Sequence, residues 1–74
     1  MDKEQVTIGL YYVCLPEEFQ CDVIGRAIAK LENTLIVYIE KCMRQDQENS
    51  YLKQRMAVVR YSNCKSLHQQ KSMV

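Results

Sequence analysis

From Pro16 to Gln45 the side chains Cys21, Ile24, Ile28, Leu31, Leu35, Tyr38 and Cys42 recur at steps of three and four. That spacing lines one face of a helix built to pack against other helices. Pro16 suits a first helical turn, where its missing N–H costs nothing, and Glu17 and Glu18 complement the positive end of the helix dipole. The polar run 45–50 holds the N-cap types Asp46, Asn49 and Ser50 and predicts a break. A second helix then runs from Tyr51 to His68, with Leu52, Met56 and Val59 on one face. Left unbroken, the two would form one rod of about 80 Å at ~1.5 Å per residue. The pattern therefore predicts a mainly α fold: a helical hairpin over 16–45 and 51–68.

Ahead of the hairpin, Gln5–Leu15 is rich in β-branched and aromatic residues, which predicts an extended arm. Val6, Ile8, Leu10, Tyr12 and Cys14 would share one side of it. No partner strand is evident in the pattern, so the arm would pair with a second copy, add to another protein's sheet, or be helical. Gly9 disfavours the helix. Gly25 marks either a close helix crossing or a tolerated surface glycine. The ends, 1–4 and 69–74, read as disordered tails of one domain spanning 1–74.

A chain of 74 residues buries only about 60% of the surface it exposes when unfolded, which favours help from a partner subunit. Residues 1–40 carry three basic side chains against seven acidic, and residues 41–74 carry seven basic against two acidic. Halves of opposite sign favour antiparallel packing, within one chain or in a homodimer. The four cysteines, Cys14, Cys21, Cys42 and Cys64, show neither a CxxC pair nor zinc-ligand spacing. With no signal-peptide pattern and no apolar run long enough to span a bilayer, they read as free thiols in the cytoplasm. No cofactor or metal is expected. His68 stands in a polar stretch with nothing to orient it as a base, so the chain reads as a non-enzyme.

The expected activity is regulatory: an adaptor that binds another protein through Ile24, Ile28, Leu31, Leu35, Tyr38 and Ile39. Nucleic acid is the alternative partner, with Lys53, Arg55, Arg60 and Lys65 as phosphate contacts. The phrase Leu15-Pro16-Glu17-Glu18-Phe19 is similar to the strand-to-helix junction of ribbon–helix–helix repressors. Cys14, Tyr12 and Leu10 then stand where that family's base-reading side chains face DNA, and they do not supply its chemistry. Val23-Ile24-Gly25-Arg26-Ala27-Ile28, followed by Thr34-Leu35-Ile36, Asp46 and Val58-Val59-Arg60, resembles the YmgB/AriR and YmgA group of small enterobacterial connector proteins. That resemblance implies a cytoplasmic helical homodimer modulating a signalling relay linked to biofilm and acid stress. The hairpin architecture also looks like the small co-chaperones of type III secretion needle subunits, which keep an aggregation-prone partner soluble.

Overall fold

Val23, Ile24 and Ile28 precede Leu31–Asn33, and Thr34, Ile36, Val37, Tyr38 and Ile39 follow it. Such β-branched and aromatic side chains pack well on a pleated, half-buried surface. In the computed structural model, which describes residues 1–67, both stretches are strands. One antiparallel sheet contains β1 (Tyr11–Cys14), β2 (Val23–Lys30), β3 (Thr34–Lys41), β4 (Met56–Arg60) and β5 (Cys64–Ser66), in the order β4-β3-β2-β1-β5. A short helix, α1 (Gln47–Leu52), lies between β3 and β4, and 3-10 turns occupy Lys3–Gln5, Arg44–Asp46 and Tyr61–Asn63.

The order forces curvature. Laid flat, five strands would hold β4 and β5 about 19 Å apart, four spacings of ~4.8 Å. Yet these opposite edges are joined only by Tyr61–Asn63, a 3-10 turn that advances about 2 Å per residue. The sheet therefore curls into a partly open barrel. Register shifts between Ile24 and Gly25, and between Ala27 and Ala29, supply local bends. The Tyr61 hydroxyl donates to the Leu31 carbonyl at 2.6 Å and ties the closing turn to the β2–β3 turn.

The core is the inside of the curl. Tyr12 and Cys14 of β1, Val23 and Ala27 of β2, Leu35, Val37 and Ile39 of β3, Ala57 and Val59 of β4, and Cys64 of β5 are all buried there. Phe19 and Val6 join the same cluster from the segments outside the strands. Intervening residues such as Arg26, Ile36 and Tyr38 point outward, the two-residue period of a strand.

The helical hairpin is thus not formed. Residues 16–45 hold β2 and β3, residues 51–68 hold β4 and β5 as far as they are described, and α1 begins inside the predicted break and ends at Leu52. The three-and-four spacing misled because large apolar residues sit on the outer face of β2 and β3 as well as the inner. Pairing across the Leu31–Asn33 turn gives each strand a partner, which no isolated helix face requires. The phrase from Val23 to Ile28 likewise lies in β2 rather than a helix.

The N-terminal arm is extended only in part. β1 pairs with β2 and β5 of its own chain, so it needs no second copy. Tyr12 and Cys14 face the core as the alternation predicts, but Ile8 and Leu10 are exposed. A turn intervenes: the Leu10 N–H donates to the Thr7 carbonyl at 3.2 Å, with Gly9 at φ +97° in the third position. That position of a type II turn needs glycine. Met1 packs against the core, Lys3–Gln5 form a 3-10 turn, and the Lys30 ammonium donates to the carbonyls of Lys3 and Val6 at 3.0 and 2.9 Å. His68 and the tail 69–74 lie outside the described residues.

Candidate functional site

The outer face of the β3–β4 corner is apolar. Ile36 stands opposite Val58, and Tyr38 opposite Met56. Val58 is 53% exposed and Met56 44%, on a strand that has only β3 as a neighbour among the described residues. Beside them runs the β1–β2 connection, whose Pro16–Phe19 segment forms the opposite wall of a groove of about 390 Å³. Ile36, Ala57 and Val58 line the strand side, Pro16 and Phe19 make the loop wall apolar, and Glu17, Glu18 and Lys53 also line the groove.

Polar contacts hold the loop wall in place. Asp46, only 2% exposed, accepts the Gln20 N–H on Oδ1 at 3.0 Å and the Cys21 N–H on Oδ2 at 2.9 Å. Charge-assisted bonds of this kind are about twice as strong as neutral ones. The Asn49 amide donates to the Glu18 carbonyl at 2.9 Å. Lys53 pairs with Glu18, and Arg60 reaches Glu17 at 3.9 Å. The Arg44–Asp46 turn, α1 and both flanks of β4 thus grip one loop. The Lys53 contact holds the Glu18 carboxyl below its usual range, first through the hydrogen bond and then through the charge.

The turn that leads from α1 into β4 is strained. Gln54 and Arg55 both have positive φ, 57° and 62°. The Met56 N–H donates to the Lys53 carbonyl at 3.1 Å. Two left-handed central residues define a type I′ turn, where Asn-Gly is the favoured pair. A non-glycine residue held there costs on the order of 1–3 kcal/mol. The strain delivers Met56 to its place at the groove.

The predicted interface residues do not form one face. Leu35 and Ile39 are 0% and 2% exposed and belong to the core. Ile24 and Tyr38 are half-buried on the outer face of the sheet, Ile28 sits at the bulge in β2, and Leu31 is exposed at the β2–β3 turn. The predicted phosphate contacts are likewise spread. Lys53 and Arg60 are engaged with Glu18 and Glu17, Arg55 lies in the strained turn, and Lys65 is on β5 at the other edge of the sheet. A different row was not foreseen: Tyr11, Arg26 and Tyr38 stand in register across the outer face of β1, β2 and β3. Met56 and Val58 are exposed on alternate positions of β4, whereas the helical spacing predicts Met56 and Val59 together on one face. Pro16 and Phe19 give no signal in the sequence as a groove wall.

Among the described residues no group of three or more histidine, cysteine or acidic side chains is arranged to hold a metal ion. No helix among them is long and apolar enough to cross a membrane. Comparison with protein-family models, with curated proteins and with solved structures finds no match to this chain.

Proposed function

We propose that the chain is a small non-enzymatic regulatory adaptor, acting in the cytoplasm, that binds another protein through the groove between the Pro16–Phe19 loop and the outer face of β3 and β4. The occupant is an extended segment lying along β4, its apolar side chains set against Ile36 and Val58. The observation that carries this reading is the exposure of Met56 and Val58 on an edge strand beside a loop clamped by Asp46. Edge strands recruit extended segments through main-chain hydrogen bonds, while pockets for alternate side chains give selectivity. The groove adds carboxylates and cations on opposite walls, which sets the direction of an asymmetric segment.

The test combines solution mass and capture. The chain is purified alone and from its host, and compared with Val58→Glu, a change at an exposed site that spares the core. Wild type retains one stoichiometric protein; Val58→Glu, folded to the same extent, loses it. A Val58→Glu protein that keeps the partner at unchanged affinity overturns the groove. A concentration-dependent dimer abolished by Val58→Glu would identify the occupant as a second copy.

A second reading, nucleic-acid binding, is supported by the row Tyr11–Arg26–Tyr38. The Arg26 side chain makes no ion pair or hydrogen bond among the described residues, and Tyr11 is 44% exposed. Aromatic rings beside a cation suit stacked bases and a phosphate. Titration with a single-stranded oligonucleotide at several salt concentrations tests it. Binding that falls with salt and is lost in Arg26→Glu supports this reading, and binding equal in wild type and variant removes it.

A further inference from the structure

Cys14 of β1 and Cys64 of β5 stand directly opposite one another across the β1–β5 ladder. The Leu15 N–H donates to the Asn63 carbonyl at 3.1 Å. A bond between those flanking residues marks Cys14–Cys64 as a non-hydrogen-bonded antiparallel pair, the closer of the two kinds, with Cα atoms about 4.5 Å apart. A disulfide spans Cα separations of about 4.4–6.8 Å. Both side chains face the same core, and both are free thiols.

The two thiols are chemically unequal. A hydrogen bond shared with Cys64, then burial, then the nearby Cys64 and Asp22 charges push the Cys14 thiol far above its ordinary range. The same hydrogen bond lowers Cys64 against the opposing effect of burial. In the structure the Cys14 thiol donates to the Tyr12 carbonyl at 3.7 Å and the Cys64 thiol to the Arg60 carbonyl at 3.5 Å. Of the two, Cys64 gives up its proton the more readily, and the thiolate is the attacking form in thiol–disulfide exchange. Access comes from β5 itself: it is three residues long and has only β1 beside it among the described residues. Its local opening exposes both sulfurs without unfolding the sheet.

We propose that Cys14 and Cys64 are a redox-modification site, oxidised by a low-molecular-weight disulfide to a cross-strand disulfide that fastens β5 to β1. The Cys64 thiolate attacks one sulfur of the oxidant, whose S–S bond breaks and releases one small thiol after protonation. The Cys14 thiol then gives up its proton and attacks the Cys64 sulfur of the mixed disulfide, expelling the second small thiol. Two protein thiols are oxidised and one small disulfide is reduced to two thiols. A dithiol reductant reverses the sequence. Cys21 and Cys42 lie outside this pairing and remain reduced or carry the small thiol.

The experiment equilibrates the full-length reduced chain with mixtures of reduced and oxidised glutathione, quenches by alkylation, and maps the products by mass. The expected product has lost two hydrogens through one internal bond, joins the Cys14 peptide to the Cys64 peptide, melts at a higher temperature than the reduced chain, and reverts with dithiothreitol. A Cys21→Ser/Cys42→Ser variant gives the same bond, and the wild-type map stands alone if that variant does not fold. The proposal is overturned if Cys14 or Cys64 is found joined to Cys21, to Cys42 or to a second copy. It is overturned equally by a stable glutathione adduct on either residue, by thiols that stay alkylatable while Cys21 and Cys42 are modified, or by an oxidised form that melts lower.

Discussion

Gly25 meets Val37 face to face inside the curl: a β-carbon built on Gly25 would stand 2.9 Å from both Cβ and Cγ2 of Val37. Val37 is fully buried. Gly25→Ala is therefore expected to destabilise the fold by about 1–3 kcal/mol, the usual cost of overpacking a tight core. Urea denaturation measures it. The double variant Gly25→Ala/Val37→Ala should recover part of the loss, because the added methyl fills the space the valine vacates.

Asp46 is expected to be the most sensitive polar position. Asp46→Ala leaves the N–H groups of Gln20 and Cys21 without their acceptor, at roughly 1–3 kcal/mol for each donor that stays buried. Asp46→Asn keeps one acceptor and should fall between wild type and alanine. Thermal unfolding ranks the three, and amide exchange at Gln20 and Cys21 should accelerate in the same order.

The Gln54–Arg55 turn predicts a gain. Gln54→Asn/Arg55→Gly places the favoured type I′ pair at φ 57° and 62°. Relief of the left-handed strain should stabilise the protein by about 1 kcal/mol or more, a rise of about 4–8 °C in melting temperature for each kcal/mol in a domain of this size. Partner affinity measured beside the melting curve shows whether the strain serves the groove: an unchanged affinity means it does not.

Acid should loosen the groove wall. Lys53 depresses the folded-state value of Glu18, so this ion pair contributes fully above the ordinary carboxylate value of 4.5 and is lost as pH falls through the lower folded value. Amide exchange of the Pro16–Phe19 segment, followed below about pH 4.5, should show protection falling in wild type. Glu18→Gln should be less protected at neutral pH and lack that component of the acid dependence.

Part of this architecture was legible in the chain. Tyr12 and Cys14 alternate inward as read, and Gly9, read as disfavouring a helix, sits in a turn that needs it. The β2–β3 hairpin was hidden because the inward positions of β2 include Gly25 and Ala27, which add little to an apolar pattern, while Ile24 and Ile28 on its outer side dominate the pattern. Their spacing to Leu31, Leu35 and Tyr38 then imitates a helix. Asp46 offered no signal either: its role rests on backbone N–H groups some twenty-five residues upstream, a contact that exists only once the barrel has curled. The groove shares that origin, since its two walls come from the β1–β2 loop and the β3–β4 hairpin.

The order β4-β3-β2-β1-β5 also fixes when the molecule can be finished. β1 is the first strand of the sheet in chain order, and its outer neighbour β5 is the last among the described residues. β2, β3 and β4 can each pair with the strand before it in the chain. β1 must wait with one edge open until residues 64–66 emerge. Closure is therefore a long-range, late event of the kind that slows β folding, and the half-made protein carries an unsealed strand for any partner or chaperone present at birth.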